Sequence, residues 1–453
     1  MNILIIGAGE TGFYVSSEFS EDNYDVTLVD INPHQLKVIQ RSLNVAGVLG
    51  SGTSLAVLEK AGIETADIII ACTDHDETNL ICCLLANHYG IPSKIAVTKT
   101  ESFMRKKVLT DYVNSGISHI INSTLVTAQE IIETSSLASA AEVSAFGEKN
   151  VLLVGCKIKK DSPWQGLSLQ EIRQCTEQNQ FLIASIVRKG QSFIPGGQDL
   201  VKKGDYVYIL IPSQTADILN NILKVRISSN RKAVIAGDTL IAERVAAGLL
   251  KSHYKVTMIC RDELHLSRMT KKFARRPLFK AIKGNYEEVK LQMQADVAVS
   301  SLFVAASDDD HLNITASIVA HYLGATKTIC LINRQDLIKA VDSLDIDVIL
   351  SPRLVTARQI KKIVRGRQES LNYTTISETN MEVLEMIASE SSPILGTPLK
   401  TLKFPQNTLV GAIIKEKKKV IIPTGDTTIE AHDKVIMVTL PESVPKLRSI
   451  IEG

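Results

Sequence analysis

The chain has 453 residues, 45% of them hydrophobic and 22% charged; this is close to the globular average, excludes a disordered, collagenous or coiled-coil protein, and leaves room for two to four domains at about 100–200 residues each. Lysine and arginine number 51 against 49 aspartates and glutamates, and the resulting charge of +2 is too small for a surface that grips a nucleic-acid backbone. No apolar run reaches the ~18 residues that cross a bilayer, and MNILIIGAGETG lacks the basic-then-apolar order of a secretory leader, so the expected location is the cytosol.

The first apolar run is Ile3 to Ile6, and others follow at Val26 to Val29, Ala46 to Leu49, Ile68 to Cys72, Ile95 to Val97 and His119 to Ile121. Each is apolar on both faces and separated from the next by an amphipathic stretch of helix length, the pattern of a parallel sheet covered by helices on both sides. The predicted class is doubly wound α/β.

Between the first strand and a helix predicted from about Thr11 lies Gly7-Ala8-Gly9-Glu10-Thr11-Gly12, a GxGxxG. Its glycines suit a tight turn, close approach to a pyrophosphate, and close packing of helix on strand, while the helix N-terminus offers free N–H groups to phosphate. The second strand ends in Asp30, eighteen residues past Gly12. A carboxylate there can accept hydrogen bonds from the hydroxyls of an adenine ribose and repel a 2′-phosphate, favouring NAD over NADP. A solvated turn acid is the alternative reading. Ser51-Gly52, Thr73-Asp74 and Thr98 follow the third, fourth and fifth strands, at the carboxyl ends where open α/β sheets hold ligands; a plain loop role serves each equally well.

The Ser- and Ala-rich stretch 134–144 reads as a boundary. Beyond it, strand-like runs at Val151 to Val154, Phe181 to Val187 and Tyr206 to Ile211 alternate with turn signals at Lys189-Gly190, Pro195-Gly196-Gly197 and Lys203-Gly204-Asp205. This is a small β-rich α+β module, closed by Ser228 to Arg231.

The whole arrangement then repeats. Asn23-Tyr24-Asp25-Val26-Thr27-Leu28-Val29 returns as His253-Tyr254-Lys255-Val256-Thr257-Met258-Ile259 at an offset of 230, and Leu125-Val126-Thr127-Ala128 returns as Leu354-Val355-Thr356-Ala357 at 229. Thr73-Asp74 and Asn79 match Ser307-Asp308 and Asn313 at 234, which implies a short insertion. The β-rich modules match as well, Ser162-Pro163 with Ser392-Pro393 and Asp205 with Asp433. Four domains are therefore expected, at 1–133, 145–227, 232–364 and 373–453, with 365–373 as the last boundary.

At the offset of 230, Gly7, Gly9, Gly12 and Asp30 become Gly237, Thr239, Ala242 and Cys260, and Arg261 comes next. A β-branched side chain at the closest approach should obstruct a pyrophosphate, and the ribose carboxylate is gone. The second unit is expected to be a structural partner of the first; the alternative is a different ligand with a phosphate near Arg261. Asp308-Asp309-Asp310 reads as a solvated helix start.

Arg268 to Arg276 (RMTKKFARR) and Arg358 to Arg367 (RQIKKIVRGR) interleave cations with apolar residues at helical spacing. They are expected to be solvated outer faces, the alternative being faces for a membrane protein or anionic lipid. The counterpart of the second stretch carries Glu130 and Glu133 instead, and this opposite polarity suggests that the two helices, or their copies in a second chain, lie near each other. The seven cysteines form no CxxC pair and read as reduced core thiols. The nine histidines form no HExxH, and GxSxG and GxxxxGK[ST] are missing, so neither a catalytic residue nor a metal site is expected.

A glycine loop at Gly7 to Gly12 with Asp30, a β-rich module behind it, and both repeated over the whole chain make the sequence resemble the TrkA family, peripheral subunits of the bacterial Trk potassium-uptake system built from two tandem RCK (also called KTN) units. The resemblance implies two Rossmann-like domains, each followed by a smaller module. It also implies binding of NAD(H), often with ATP or ADP, and control of ion flux without chemical turnover. The implied assembly is a homo-oligomer, dimer or tetramer, at the inner face of the membrane beneath a Trk-type potassium translocator. Nucleotide contacts carry over to Gly7, Ala8, Gly9, Glu10, Thr11, Gly12, Asp30, Ser51, Gly52, Thr73, Asp74 and Thr98, and the changes at Thr239, Ala242 and Cys260 leave the family's second site open. Two rival readings are an NAD-dependent oxidoreductase with the β-rich module as its substrate domain, and the regulatory part of a potassium efflux system.

Overall fold

Runs such as Ile3-Leu4-Ile5-Ile6, apolar at every position, must be covered on both faces, and the protein covers them with helices. The computed structural model describes residues 1–21, 24–176, 181–225, 230–341, 344–369, 372–376 and 381–452. Asn23 of the repeat and the boundary residues Ser228, Ser229, Ser370 and Leu371 lie outside them.

The first unit alternates β1 (Asn2–Ile6), α1 (Glu10–Glu21), β2 (Asp25–Asp30), α2 (Pro33–Ser42), β3 (Ala46–Leu49), α3 (Leu55–Lys60), β4 (Ile68–Ala71), α4 (Asp76–His88), β5 (Ser93–Thr98), α5 (Lys106–Asn114), β6 (His119–Asn122) and α6 (Ser123–Ser135). Its strands pair in parallel in the order β3-β2-β1-β4-β5-β6. The order reverses between β1 and β4, which opens a crevice beyond their carboxyl ends.

A module of β7 (Glu142–Phe146), β8 (Val151–Lys157), α7 (Leu169–Cys175), β9 (Leu182–Arg188), β10 (Gln191–Phe193), β11 (Tyr206–Pro212) and α8 (Ile218–Ile222) follows, its strands antiparallel in the order β10-β9-β11-β8-β7. Its sheet begins at Glu142, inside the stretch 134–144 expected to be a boundary, because Val143 and Phe146 are buried against β8.

The second unit repeats the first with β12 (Lys232–Ala236), α9 (Leu240–Lys251), β13 (Lys255–Cys260), α10 (Glu263–Lys272), β14 (Phe279–Lys283), α11 (Val289–Gln294), β15 (Leu302–Ala305), α12 (Asp310–Leu323), β16 (Thr328–Leu331), α13 (Gln335–Val341), β17 (Val348–Leu350) and α14 (Pro352–Glu369), in the sheet order β14-β13-β12-β15-β16-β17. Helix α14 runs on past the expected domain end at 364. The second module holds β18 (Asn372–Thr375), β19 (Glu382–Ile387), β20 (Leu409–Ile414), β21 (Val420–Ile421), β22 (Lys434–Thr439) and α15 (Val444–Ile451), in the order β18-β19-β22-β20-β21. The two modules share one core, in which Phe146, Leu153 and Leu210 meet Val383, Ala412 and Ile436.

The last helix of each Rossmann-like unit is exchanged. Ala128 and Ile131 of α6 complete the core of the second unit beside α9, and Ala357, Ile360 and Val364 of α14 complete the core of the first beside α1. Helices α6 and α14 also pack on each other. Arg358, Lys361 and Arg365 of α14 are therefore not a solvated face, whereas Lys362 is exposed. The Lys361 side chain is 8% exposed and its Nζ pairs with Glu18 Oε2 at 2.7 Å, while Arg358 Nη1 meets Glu142 Oε1 at 3.0 Å. Arg358 and Lys362 attract Glu130 across the α6–α14 contact, so the opposite polarity of the two helices is satisfied within one chain; burial nevertheless pushes Glu130 up to about 7. On α10 the cations Arg268 and Lys272 reach Glu243 of α9, and Arg275 and Arg276 beyond the helix are exposed. Six of the seven cysteines are buried as expected; Cys175, at the end of α7, is exposed.

Lys327, fully buried before β16, seals the end of α6: its Nζ donates to the carbonyl of Leu137 at 2.7 Å and to that of Thr134. Burial holds its pKa down at about 7, against 10.5 for the ordinary side chain. Above pH 7 the unfolded chain therefore binds more protons than the folded one, and stability rises with pH. Above about pH 9 the buried cysteines, raised to about 12 at Cys156 and Cys260, act in the opposite sense. Urea unfolding is expected to show stability rising from about pH 7 to 9 and the rise flattened in Lys327→Met. The same slope in both proteins would refute this role.

Candidate functional site

The carboxyl ends of β1, β2 and β4 bring Gly7 to Gly12, Asp30, Thr73 and Asp74 together; Ser51 and Gly52 follow β3, and Thr98 is buried at the end of β5. Gly7 has a φ of +109°, and a Cβ there would meet Thr73 N at 3.0 Å, so the turn after β1 needs glycine both for conformation and for space. A Cβ on Gly12 would lie 1.9 Å from the carbonyl oxygen of Gly7, because α1 packs directly on the end of β1. Gly9 is different: a Cβ there meets nothing within 4 Å. The space beside it is open, in the position where a pyrophosphate approaches the backbone.

Asp30, at the end of β2, faces this loop. Its Oδ2 accepts from Ala8 N at 2.6 Å and its Oδ1 from Asn32 N at 2.7 Å. Each carboxylate oxygen keeps a further lone pair for a ribose hydroxyl. Asn32 caps α2 by accepting from His34 N at 2.9 Å, so the turn after Asp30 is fixed from both sides. Glu10 opens α1 and pairs with Arg353 Nη1 at 2.9 Å. Thr11 follows in the same first turn, partly exposed.

Ser51 is exposed at the mouth, its Oγ 2.8 Å from Thr53 Oγ1. Gly52 is buried and serves packing, since a Cβ there would lie 2.2 Å from Ile6. Thr73 is held by Asn79, whose Oδ1 accepts from Thr73 N at 2.9 Å and from Thr73 Oγ1 at 2.7 Å while its Nδ2 donates to Val97 O at 2.8 Å. Asp74 pairs with Lys99 at 3.0 Å, and this hydrogen bond and the nearby Arg353 hold its carboxyl below the ordinary range. Thr98 ends β5 fully buried, its Oγ1 without a hydrogen-bond partner among the described residues.

Four residues with no positioning role expected from the sequence, two in each unit, hold these strand ends. Asn79 ties the ends of β4 and β5 together, and Asn313 does the same for Ser307 and Leu331 in the second unit; the match of these two asparagines in the repeat was the available signal. Asp76 accepts from Lys99 N and Thr100 N at 2.9 and 2.8 Å, and Asp310 accepts from Asn333 N and Arg334 N at 2.9 Å each. Asp310 is thus a buried latch and not part of a solvated helix start; Asp309 is the N-cap of α12.

The second crevice differs in kind. Thr239 is the N-cap of α9: its Oγ1 accepts from Ala242 N at 3.2 Å and donates to Ala306 O at 2.6 Å. Threonine here satisfies the helix N-terminus itself, which the glycine of the first unit leaves to another group. The carboxylate expected to be lost has changed strands. Asp238, in the position of Ala8, accepts from Arg261 N at 3.0 Å and from the hydroxyl of Tyr286. The Arg261 guanidinium lies 5.8 Å from the centre of the Tyr286 ring. A cavity of about 680 Å³ opens here, and four aspartates line it against that one guanidinium, an arrangement that repels polyphosphate.

The TrkA-N domain family matches residues 3–123 and 233–352, and the TrkA-C domain family matches residues 153–224 and 383–452. Among similar proteins, the Trk system potassium uptake protein TrkA of Halomonas elongata is 28% identical over 441 residues, covering 96% of this chain and 95% of that protein. The protein of the same name from Azorhizobium caulinodans is 25% identical over 458 residues, covering 99% and 98%. Among solved structures, that of the GsuK RCK domain aligns over 100% of this chain and 95% of its own with a TM-score of 0.61 at 16% identity. The GsuK channel bound to NAD aligns over 100% and 79%, with the same TM-score at 17% identity.

Proposed function

This chain belongs to the TrkA-N domain family, with that domain and the TrkA-C domain each present twice, and from that premise we propose that it is a nucleotide-binding regulatory subunit of potassium transport that takes NAD(H) at the first glycine loop. The observation that carries the reading is the open space beside Gly9, flanked by the N-terminus of α1 and by the carboxylate of Asp30. That combination of a backbone cradle and a ribose acceptor is what a dinucleotide requires. Full-length similarity to proteins named for Trk potassium uptake, and the same fold in a channel solved with NAD, support it. ATP or ADP shares the adenosine and phosphate groups and would compete for the same crevice.

The partner is a Trk-type membrane translocator, met from the cytoplasmic side by a homo-oligomer of this chain. No helix among the described residues is long and apolar enough to cross a membrane. A nucleotide shifts a conformational equilibrium only by its differential affinity for two states. The Glu10–Arg353 pair supplies such a difference, since it joins the glycine loop of one unit to the exchanged helix of the other, and a phosphate at the loop competes for the same guanidinium.

Binding here signals without turnover. Around the crevice Asp30 and Asp76 are engaged by backbone N–H groups, and Glu10 and Asp74 are engaged by cations, which leaves these acids committed to holding the loops. Asp30→Ala is expected to weaken NADH by roughly 10- to 100-fold, following the ~1.5–3 kcal/mol of a charge-assisted hydrogen bond, and to disturb nucleotide control of potassium uptake. An NADH fluorescence titration checks the first effect, and unchanged affinity would overturn the assignment. Sustained oxidation of NADH with small carbonyl compounds would decide for an oxidoreductase instead.

A further inference from the structure

We propose that the second Rossmann-like unit holds a divalent transition-metal ion of the zinc type, ligated by Asp238, Cys260 and His265. One donor atom from each of these residues lies within 4.8 Å of the other two. They come from three elements: the loop after β12, the last residue of β13 and the first turn of α10. Cys260 is fully buried and His265 is 5% exposed.

Two of the donors are left over by the protein itself. Among the described residues, Asp238 Oδ1 and His265 Nε2 are buried without a hydrogen-bond partner. Buried polar atoms in this condition call for an explanation, and an ion is one. The other oxygen of Asp238 is fixed by Arg261 N and by the Tyr286 hydroxyl, which orients the carboxylate as the outer shell of a metal site does.

The repeat sharpens the case. At the offset of 230, the first unit carries Ala8, Asp30 and Gln35 in these positions, so two of the three places have gained a ligand-type residue and the third has exchanged a carboxylate for a thiol. Thiolate, imidazole and carboxylate suit zinc, whereas potassium, magnesium and calcium prefer oxygen donors alone. Zinc–donor lengths of about 2.0–2.3 Å place tetrahedral ligands about 3.4–3.6 Å apart, so the cluster closes by about an ångström on loading. Asp238 also lines the 680 Å³ cavity, from which water can complete the coordination.

Loading exchanges a proton for the metal. The Cys260 thiol, kept protonated by burial and by Asp238, loses its proton to solvent as the sulfur–metal bond forms, with no change of oxidation state. Arg268 donates to His265 Nδ1 at 2.9 Å, which leaves the imidazole proton on Nε2; loading moves that proton to Nδ1 through solvent and frees the Nε2 lone pair for the ion, while Arg268 turns to Glu243, 3.5 Å away. Thiolate and carboxylate together then neutralise the dication.

The test uses the full-length protein stripped with a chelator. Zinc is titrated in competition with a chromophoric chelator, and cobalt is added separately to read the thiolate-to-cobalt charge-transfer absorption. One equivalent of tight zinc and a cobalt–thiolate band are expected. Cys260→Ser should lose the band, and His265→Gln should lose more than the ~10–100-fold in affinity that an outer-shell partner is worth. Cys175→Ser, at the exposed thiol, should change neither. Absence of zinc binding in the native protein, a band that disappears with Cys175→Ser, or full affinity in His265→Gln would overturn the proposal. An NADH titration of the same variants reports the first crevice separately and is expected to be unchanged.

Discussion

Gly9→Thr is expected to abolish dinucleotide binding while leaving the protein at least as stable as the native chain. A Cβ on Gly9 meets nothing within 4 Å, so the larger side chain is accommodated, but only by filling the space that a pyrophosphate would use. The second unit shows what threonine does in this place. Thr239 caps its own helix and bonds the carbonyl of Ala306, and the first unit offers the equivalent helix N-terminus in α1. Exchange of glycine for threonine at an N-cap changes stability by only a few tenths of a kcal/mol. Gly12→Ala is the contrasting variant: its Cβ would lie 1.9 Å from Gly7 O, and α1 must part from β1, at a cost of about 1–3 kcal/mol or more. Both variants should fail to bind NADH in a fluorescence titration, and only Gly12→Ala should unfold at a lower temperature. Retained NADH affinity in Gly9→Thr would mean that the dinucleotide does not use this loop.

The strands were legible because burial on both faces imposes a composition that local sequence cannot hide: Ile68-Ile69-Ile70-Ala71 can be little else. The glycine loop was legible because each glycine answers a separate local constraint. Partnerships across the chain were not. Periodicity states which face of α14 is apolar but not what covers it, and the answer, the first core, belongs to another domain. Cations interleaved in an apolar stripe therefore read as solvent-facing when Lys361 in fact pairs with Glu18. Arg353 gave no local signal at all, since Glu10 lies 343 residues away. At Cys260 the loss of a carboxylate was visible, but its return at Asp238, on the neighbouring loop, needed three-dimensional placement.

The exchange of α6 and α14 predicts an inverted pattern of destabilisation. Ile360 lies in the second unit by sequence and is fully buried in the core of the first, beside Ile3, Val15 and Phe19; Ile131 lies in the first unit by sequence and is fully buried in the core of the second. Truncating either to alanine removes a buried side chain worth about 2–5 kcal/mol. Hydrogen exchange under native conditions should then show Ile360→Ala loosening β1 to β6, and Ile131→Ala loosening β12 to β17. Because the first crevice stands on β1, β2 and α1, Ile360→Ala should also weaken NADH binding, while Ile131→Ala leaves it nearly unchanged. A chain whose halves folded independently would show the opposite assignment, each substitution loosening the unit that contains it in sequence. The exchanged helices also explain how a ligand at one glycine loop can be felt elsewhere: α14 is at once the cover of the first core and the continuation of the second sheet, so neither unit can shift without moving a helix that the other depends on.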